Sequence, residues 1–426
     1  LKTILAIFWI FLFVFVNLTT VMFLGAKALD TIMGTGDGSL LVPAMIGLAV
    51  VAAAYSLYGG LSAVAWTDVI QVILLVFGGI ITTIIALDYV TPEGGIFSGL
   101  GHIYDKAGDK FNMILTKDNP EFNNLPGIAV LVGGMWIANL YYWGFNQYII
   151  QRTLAAKSLK EAQRGIAFAA FLKLIIPLFI VIPGILVFIM FTQPEGTNII
   201  PGITEVFTKA DGTVNYDKAY PWLISSFVPT GLKGLVVAAL AAAIVSSLAS
   251  MLNSTSTIFT LDIYKSYINK NASESHTVNV GRITAAAALL IAGILAPFLD
   301  SMGQVFQNIQ EYTGVVSPGI LAVFLMGLFW KKATARGAIT GIILSIPVAI
   351  ILKMSIMELP FMDQMFYTTI ITMVIIAGVS LTTGKEGEVD DPKGIPLTSE
   401  LFKTGKKFNI SAYVILLILV FLYTFF

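Results

Sequence analysis

Runs of apolar residues alternate with short polar connections along almost the whole chain. At about 1.5 Å per residue, a helix of about 20 residues crosses the roughly 30 Å hydrocarbon core of a bilayer. Backbone N–H and C=O groups in hydrocarbon must bond within their own segment, so these runs predict helices. We predict eleven membrane-spanning helices, at residues 4–28, 40–58, 67–88, 127–150, 165–192, 230–258, 281–299, 304–330, 335–353, 365–383 and 408–426.

The distribution of Lys and Arg predicts which connections face the cytoplasm. If the basic turn 330–336 lies inside and the helices alternate in direction, 16 Lys and Arg residues fall in inside segments and 6 in outside segments. The bias is the same along the chain, so residue 1 is predicted to be cytoplasmic and residue 426 to lie toward the outside. The longest predicted outer connections are 89–126 and 193–222.

Composition narrows the class of protein. Hydrophobic residues make up 57% of the 426 and charged residues only 12%, about half the charged share of a soluble domain. The chain is therefore predicted to be an integral protein of the lipid bilayer. It has no basic patch and no cysteine, so we expect no nucleic-acid partner, no disulfide and no thiolate metal site. Because it starts and stops near apolar runs, we expect a piece of a longer protein.

An aromatic and amide-rich stretch, Trp136–Tyr148, lies within one predicted span. A helix that faces lipid has no use for such side chains, whereas a helix that lines a solute pathway does. Gly133, Gly134 and Gly144 are weak points for the helix. Four polar or aromatic residues at spacing i, i+3, i+4 and i+7 are predicted to share one helical face: Asn139, Tyr142, Trp143 and Asn146.

Three polar side chains are predicted to lie at a similar depth in the membrane. Lys173 is about 12 Å from the inner end of its span, Gln310 about 10 Å from the outer side, and Asn139 about 18 Å from its outer end. Amides both donate and accept hydrogen bonds, so this set suits a hydroxyl-rich solute. The alternative for Lys173 is a structural ammonium bonded to helix-end carbonyls, since intramembrane charges always need partners.

Two aromatic residues of the same stretch fit that interpretation. Tyr142 and Trp143 offer flat surfaces that suit the apolar face of a sugar ring. The alternative is that they are ordinary interfacial anchors, which are common in membrane proteins. Their position beside amides in mid-span favours the solute pathway.

A small-residue helix carries candidate ligands for an alkali cation. Ser246 and Ser247 offer hydroxyls, and such oxygen atoms are the hard ligands these ions require. Close helix packing through small residues explains the same pattern equally well. Asp68 is a candidate stop for the cation near the cytoplasmic mouth; the alternative places it in the first turn of a helix, stabilised by the helix dipole.

Four motifs carry a resemblance to a known family: Tyr55–Ala63, Asn139–Gln147, Ala242–Ser250 and Gly327–Gly341. Over essentially its whole length the chain resembles the solute:sodium symporter family, and especially its bacterial sugar-transporting members. The resemblance implies an all-α membrane protein with an inverted-repeat fold of five plus five helices, of which this chain lacks the first two. It also implies a location in the bacterial inner membrane.

The resemblance implies a division of the chain along its length. Residues 1–88 would hold the last three core helices of the first repeat, and 89–126 an extracellular loop. Residues 127–330 would form the second repeat, core helices six to ten. Residues 331–426 would be accessory helices, with the last one missing.

The resemblance also implies roles for particular residues. Asn139, Lys173 and Gln310 match positions that bond a sugar, and Tyr142 matches a ring that stacks under it as an inner gate. Trp143 would lie beside that ring, and Asn17 matches a polar position near the sugar. The Ala243 carbonyl and the hydroxyls of Ser246 and Ser247 match the sodium ligands. Asp68 matches a proposed exit position for the cation.

The expected function is secondary active transport, in which sodium moving down its gradient carries a neutral sugar such as galactose or glucose by alternating access. Sodium is expected as a co-transported ion, with no organic cofactor and no enzymatic activity. The alternatives are another small solute, such as proline or pantothenate, and two remote classes, a channel or an intramembrane Ser–Lys hydrolase.

Overall fold

The computed structural model describes residues 1–33, 37–125, 127–192, 200, 202–209, 212, 214–302, 305–355, 359–384 and 394–426, with only the backbone at 57–67. These residues are helical apart from their connections and one isolated β-bridge between Thr208 and Val214. The helices are α1 (Lys2–Met33), α2 (Leu41–Val90), α3 (Ile96–Ala107), α4 (Gly127–Phe145), α5 (Gln147–Leu154), α6 (Leu159–Thr192), α7 (Ile203–Phe207), α8 (Ala219–Phe227), α9 (Thr230–Ile268), α10 (Glu274–Ser301), α11 (Val305–Phe329), α12 (Ala335–Ser355), α13 (Phe361–Thr383) and α14 (Lys406–Phe425).

The predicted membrane-spanning helices are found in the structure. Within the described residues, ten helices are long and apolar enough to cross a membrane, and an eleventh apolar helix, Leu41–Ser56, is shorter. The predicted spans 40–58 and 67–88 both belong to α2, whose backbone stays helical from Leu41 to Val90. These two spans correspond to the separate apolar segments Leu41–Ser56 and Asp68–Val90.

Two separate parts of α2 pack along α9. Ser56 lines a cavity together with Asn253 and Ser256 of α9. Further along α2, Asp68 contacts Ser246, and a Cβ added at Gly78 would lie 2.9 Å from Val236. Ala44 and Gln71 line one cavity, although a straight helix would place them about 40 Å apart, so the chain turns back between them. We call Leu41–Ser56 the first arm and Asp68–Val90 the second arm of α2.

The described residues divide into two compact units. Unit 1 contains Leu1–Ile10, Met113–Ala167 and Gln310–Phe426, and unit 2 contains Phe11–Asn112 and Phe168–Ile309. In unit 2, α9 packs against both arms of α2, against α1 and against α10. In unit 1, α12 packs along α13, and α13 packs on α4. The predicted division into repeats along the sequence stays a prediction.

In the part of the chain that the structure describes, three stretches adopt the wider π-helical turn. They are Leu12–Leu18 in α1, Tyr141–Phe145 at the end of α4, and Phe259–Ile268 at the end of α9. Such turns are uncommon and are frequently found at functional sites. Two of the three contain residues singled out from the sequence, namely Asn17, Tyr142 and Trp143.

Helix α4 is interrupted at Gly133, one of the predicted weak points. The indole N–H of Trp136 donates to the carbonyl of Leu131 across the interruption, at 2.6 Å. Gly134 comes so close to α13 that an added Cβ would collide with the Met362 carbonyl. The absence of a side chain at Gly134 therefore permits the contact between α4 and α13.

Charged residues join three elements of unit 2 at the side predicted to be external. The Lys27 ammonium of α1 lies 3.1 Å from Asp300 at the end of α10. The Asp30 carboxylate, also on α1, accepts hydrogen bonds from the N–H groups of Gly38 and Leu40, at 3.0 and 2.9 Å, and so links α1 to the start of α2. Both Lys27 and Asp30 are buried, so these contacts supply the partners that buried charges require.

Asp217 lies in the same charged region, in the short turn before α8. Its carboxylate accepts a hydrogen bond from the Val305 N–H, at 3.4 Å. Burial raises the pKa of the Asp217 carboxyl above its usual value, and the opposing influence of Lys27, the Val305 N–H and Lys209 is smaller. A raised pKa in the folded state means that ionised Asp217 costs stability.

We expect Gly134→Ala to lower the stability of the full-length protein by about 1–3 kcal/mol, because the backbone of α13 must move to admit the methyl group. The matched control is Gly165→Ala in α6, where an added Cβ meets no atom within 4 Å. A small gain in stability is expected for this variant. Thermal unfolding of the two purified variants in detergent makes the comparison. Equal stability of both would contradict the close contact.

We expect Asp217→Asn to stabilise the protein most at neutral pH. The contribution of Asp217 is fully present below its unfolded pKa of about 3.9 and is lost as the pH rises through the raised folded pKa. The stability gap between variant and parent should therefore widen as the pH rises through that range. Thermal unfolding measured as a function of pH tests this, with the exposed Asp105→Asn as control for removing one negative charge. A gap that stays constant with pH would contradict it.

Candidate functional site

The clearest polar contact between spanning helices joins α9 to the second arm of α2. The hydroxyl of Ser246 donates a hydrogen bond to the carboxylate of Asp68. Ser246 is buried, and Asp68 is half-buried. Both residues are predicted from the sequence to belong to a cation pathway, but their contact is not, because they are 178 positions apart.

Helix packing explains how these two side chains meet. Gly25 lets α1 approach α9 so closely that an added Cβ would lie 2.8 Å from Ile244. In the second arm of α2, Gly78 packs in the same way against Val236 of α9. Asp68 is the first residue of the second arm of α2. The alternative that placed Asp68 in the first turn of a helix therefore stays open.

The predicted sodium ligands follow one another along α9. Ala243 and Ser247 are half-buried and flank the buried Ser246. One turn further, the Ser250 hydroxyl donates to the carbonyl of Ser246 at 2.8 Å. Together with the Asp68 carboxylate this arrangement gathers hydroxyl and carboxylate oxygens, the ligand type that hard cations prefer.

A cavity of about 590 Å³ lies beside this group in unit 2. Most of its lining is apolar and comes from α1, the first arm of α2 and α9. Tyr55 and Gln71 are the polar residues on its wall, and Ala242 and Val245, neighbours of the predicted ligands, also border it. The oxygen atoms suited to a cation therefore gather at Ser246 and Asp68 rather than across the cavity.

The aromatic and amide-rich stretch departs from the predicted helical face. The turn from Tyr141 to Phe145 is π-helical, and Asn146 has extended backbone angles that end the helix. Asn146 is consequently buried, whereas Tyr142 and Trp143 are exposed. The single α-helical face predicted for Asn139, Tyr142, Trp143 and Asn146 is therefore wrong in its last turn.

The exposed rings of this stretch are held by neighbouring aromatic residues. The Tyr142 ring packs edge-on against Trp143 with centroids 5.4 Å apart. Its hydroxyl lies 3.1 Å from the hydroxyl of Tyr148. Tyr148 belongs to α5, and no role is predicted for it from the sequence. One N–H of Asn139 donates to the Met135 carbonyl at 2.9 Å. These contacts orient Tyr142 as an exposed aromatic surface at the end of α4.

The other predicted solute ligands lie in different parts of the fold. Lys173 is exposed on α6 in unit 2, and Gln310 is exposed on α11 in unit 1. Asn17 is half-buried in the π-helical part of α1, which packs against α9 and α10 in unit 2. Because Asn139 and Gln310 belong to unit 1 and Lys173 to unit 2, their shared layer stays a prediction.

Comparison with known proteins identifies the family. The model of the sodium:solute symporter family matches residues 1–345. The chain belongs to the sodium:solute symporter family. This symporter is 57% identical over all of its 426 residues to the sodium/glucose cotransporter of Vibrio parahaemolyticus, of which it covers 77%. It is 33% identical over 358 residues to the sodium/myo-inositol cotransporter 2 of Bos taurus. That alignment covers 80% of this chain and 51% of the bovine protein.

A solved structure supports the same assignment. The substrate-bound outward-open state of a Na⁺-coupled sialic acid symporter superposes with a TM-score of 0.70 at 25% identity. The alignment covers 89% of this symporter and 74% of that chain. The predicted family, helical transporter fold and multi-pass membrane character are thereby confirmed, and so is the prediction of a transporter rather than an enzyme. The roles of the individual site residues stay predictions.

Proposed function

We propose that the full protein is a sodium-coupled sugar symporter of the bacterial inner membrane, with residue 1 on the cytoplasmic side. The observation that carries the proposal is the match of the entire chain to a sodium/glucose cotransporter at 57% identity. Galactose or glucose is the proposed solute, and sodium the co-transported ion. A neutral sugar agrees with a stretch that offers amides and aromatic rings rather than several charges.

In this proposal Asn139, Lys173 and Gln310 bond the sugar hydroxyls, with Asn17 nearby. Tyr142 stacks under the sugar ring as the inner gate, with Trp143 beside it. The edge-on packing of Trp143 and the hydroxyl contact with Tyr148 support a fixed orientation for the Tyr142 ring. A preformed aromatic surface reduces the entropy lost on binding.

Sodium is proposed to bind at the Ala243 carbonyl and the hydroxyls of Ser246 and Ser247, and to leave past Asp68. The hydrogen bond between Ser246 and Asp68 supports this route, because one hydroxyl oxygen then neighbours both the ligands on α9 and a carboxylate on α2. Movement of the second arm of α2 relative to α9 would change the oxygen set available to the ion. Coupling then follows if sodium binds better to the state in which the sugar site is formed.

A second candidate for the solute is a cyclic polyol. It is favoured by the likeness to a sodium/myo-inositol cotransporter over 80% of this chain. Competition for uptake among galactose, glucose, myo-inositol and proline distinguishes the candidates. Inhibition by myo-inositol alone would favour the polyol, and inhibition by proline alone would contradict sugar transport.

We expect proteoliposomes of the full-length protein to take up galactose when a sodium gradient is applied. Lys173→Ala should reduce uptake at low galactose by about ten- to a hundredfold, because a hydrogen bond from a charged group contributes about 1.5–3 kcal/mol. Lys160→Ala, an exposed lysine on the same helix, is the matched control and should transport normally. Unchanged sodium-dependent uptake in the double variant Lys173→Ala and Ser247→Ala would contradict the assigned residues.

We expect sodium to raise the thermal stability of the purified protein relative to choline at equal ionic strength, because binding to the folded state stabilises it. Asp68→Asn should remove most of this sodium-specific increment, since a neutral amide attracts the cation less. Asp88→Asn, on the same arm of α2, serves as the matched control and should keep the increment. Equal increments in the two variants would rule out a part for Asp68 in sodium binding.

A further inference from the structure

A polar pocket lies within unit 1, and its lining contains none of the residues assigned above. It is formed by α11, α12, α13 and the loop before α4, and its volume is about 280 Å³. This is close to the lower end of the range for small-molecule sites, about 300–1,000 Å³. We call it the outer polar pocket, because the ends of the helices that form it are predicted to be external. Its polar lining consists of Asn123, Asn124, Glu311, Lys353, Gln364 and Thr368.

The pocket holds one charge of each sign. The Lys353 ammonium at the end of α12 lies 3.0 Å from the Glu311 carboxylate on α11. The two side chains are 53% and 32% exposed, so both remain accessible. Since the two charges compensate each other, the pocket has no excess charge to attract a free cation or anion. A charged or zwitterionic ligand would have to separate the pair.

Thr368 supplies the observation that points to a ligand. It lines the pocket from the second turn of α13 and is fully buried. Its hydroxyl has no hydrogen-bond partner among the residues that the structure describes. The next threonines on α13 differ, since Thr369 and Thr372 donate to the carbonyls of Met365 and Thr368 at 2.8 and 2.7 Å. A buried hydroxyl without a partner is costly, so a polar ligand in this pocket would stabilise it.

The rest of the lining suits a solute with both hydroxyls and an apolar face. Amides from Asn123, Asn124 and Gln364 can each donate and accept hydrogen bonds. The Gln364 amide N–H donates to the Leu359 carbonyl at 2.6 Å, which orients that side chain. Pro360 and Phe361 add an apolar wall. Sugar rings combine these two kinds of surface.

We propose that the outer polar pocket is a second binding site, independent of sodium, for a neutral polyhydroxylated solute the size of a monosaccharide. It is separate from the proposed transport site, although Glu311 adjoins Gln310 in the chain. The solute donates to the Glu311 carboxylate and accepts from the Lys353 ammonium and the Thr368 hydroxyl. The choice of galactose as the probe rests on the proposed function.

Cysteine protection tests the site. This chain contains no cysteine, so Asn123→Cys can be introduced at the exposed rim of the pocket in a cysteine-free version of the full-length protein. In sodium-free buffer, galactose should slow the reaction of this cysteine with a membrane-impermeant maleimide, about twofold when half of the sites are occupied. Lys117→Cys, exposed in the same loop but outside the pocket, should show no protection.

The Thr368 hydroxyl provides the decisive variant. Thr368→Val keeps the shape of the side chain and removes the hydroxyl, so protection of Asn123→Cys by galactose should be lost. Thr372→Val, which removes a buried hydroxyl one turn along the same helix, should leave protection intact. Equilibrium dialysis in sodium-free buffer, with native Asn123, provides an independent measurement of galactose binding. Binding should be lost in Thr368→Val and retained in Thr372→Val.

Three results would overturn the proposal: protection that persists in Thr368→Val, equal protection of Lys117→Cys, or protection by proline but not by galactose. Sodium-driven uptake by the parent protein is measured alongside and tests the proposed function separately. Intact uptake without protection would reject the outer polar pocket alone. Protection without uptake would reject sodium-coupled sugar transport and leave the pocket.

Discussion

The packing of α9 against the two arms of α2 is the constraint on which the polar chemistry of unit 2 depends. A carboxylate within a spanning helix needs a partner, because isolated charges in hydrocarbon are costly. The second arm of α2 brings Asp68 to one such partner, Ser246 of α9. Gly78 of α2 and Gly25 of α1 permit close packing on α9. The predicted cation ligands therefore lie where these three helices pack together.

Irregular helix is the second recurring feature. Interruption of α4 at Gly133 and the π-helical turn from Tyr141 to Phe145 lie on either side of Asn139. Each irregularity leaves backbone groups that must be satisfied, and the indole of Trp136 does this for Leu131. The aromatic ring proposed as the gate, Tyr142, is thus carried on the second of these two departures from α-helix.

Much of the fold could be predicted from the sequence, whereas the contacts within the candidate site could not. The lengths of the apolar runs identified the spans, because the thickness of the bilayer's hydrocarbon core sets a minimum number of apolar residues. Periodicity failed for Asn146, because a regular α-helix was assumed through a turn that is π-helical. No local pattern relates Asp68 to Ser246, since their contact arises from the packing of distant segments.

The sequence by itself determined the class of this protein, its spans, its family and the chemical types of its candidate ligands. These depend on the number and order of apolar residues and on motifs that are local in the chain. Only the tertiary structure decided that Asp68 bonds Ser246, that Tyr142 meets Tyr148, and that Lys353, Glu311 and Thr368 line one pocket. The physical reason is that side chains meet according to helix direction and close packing, neither of which a one-dimensional pattern specifies.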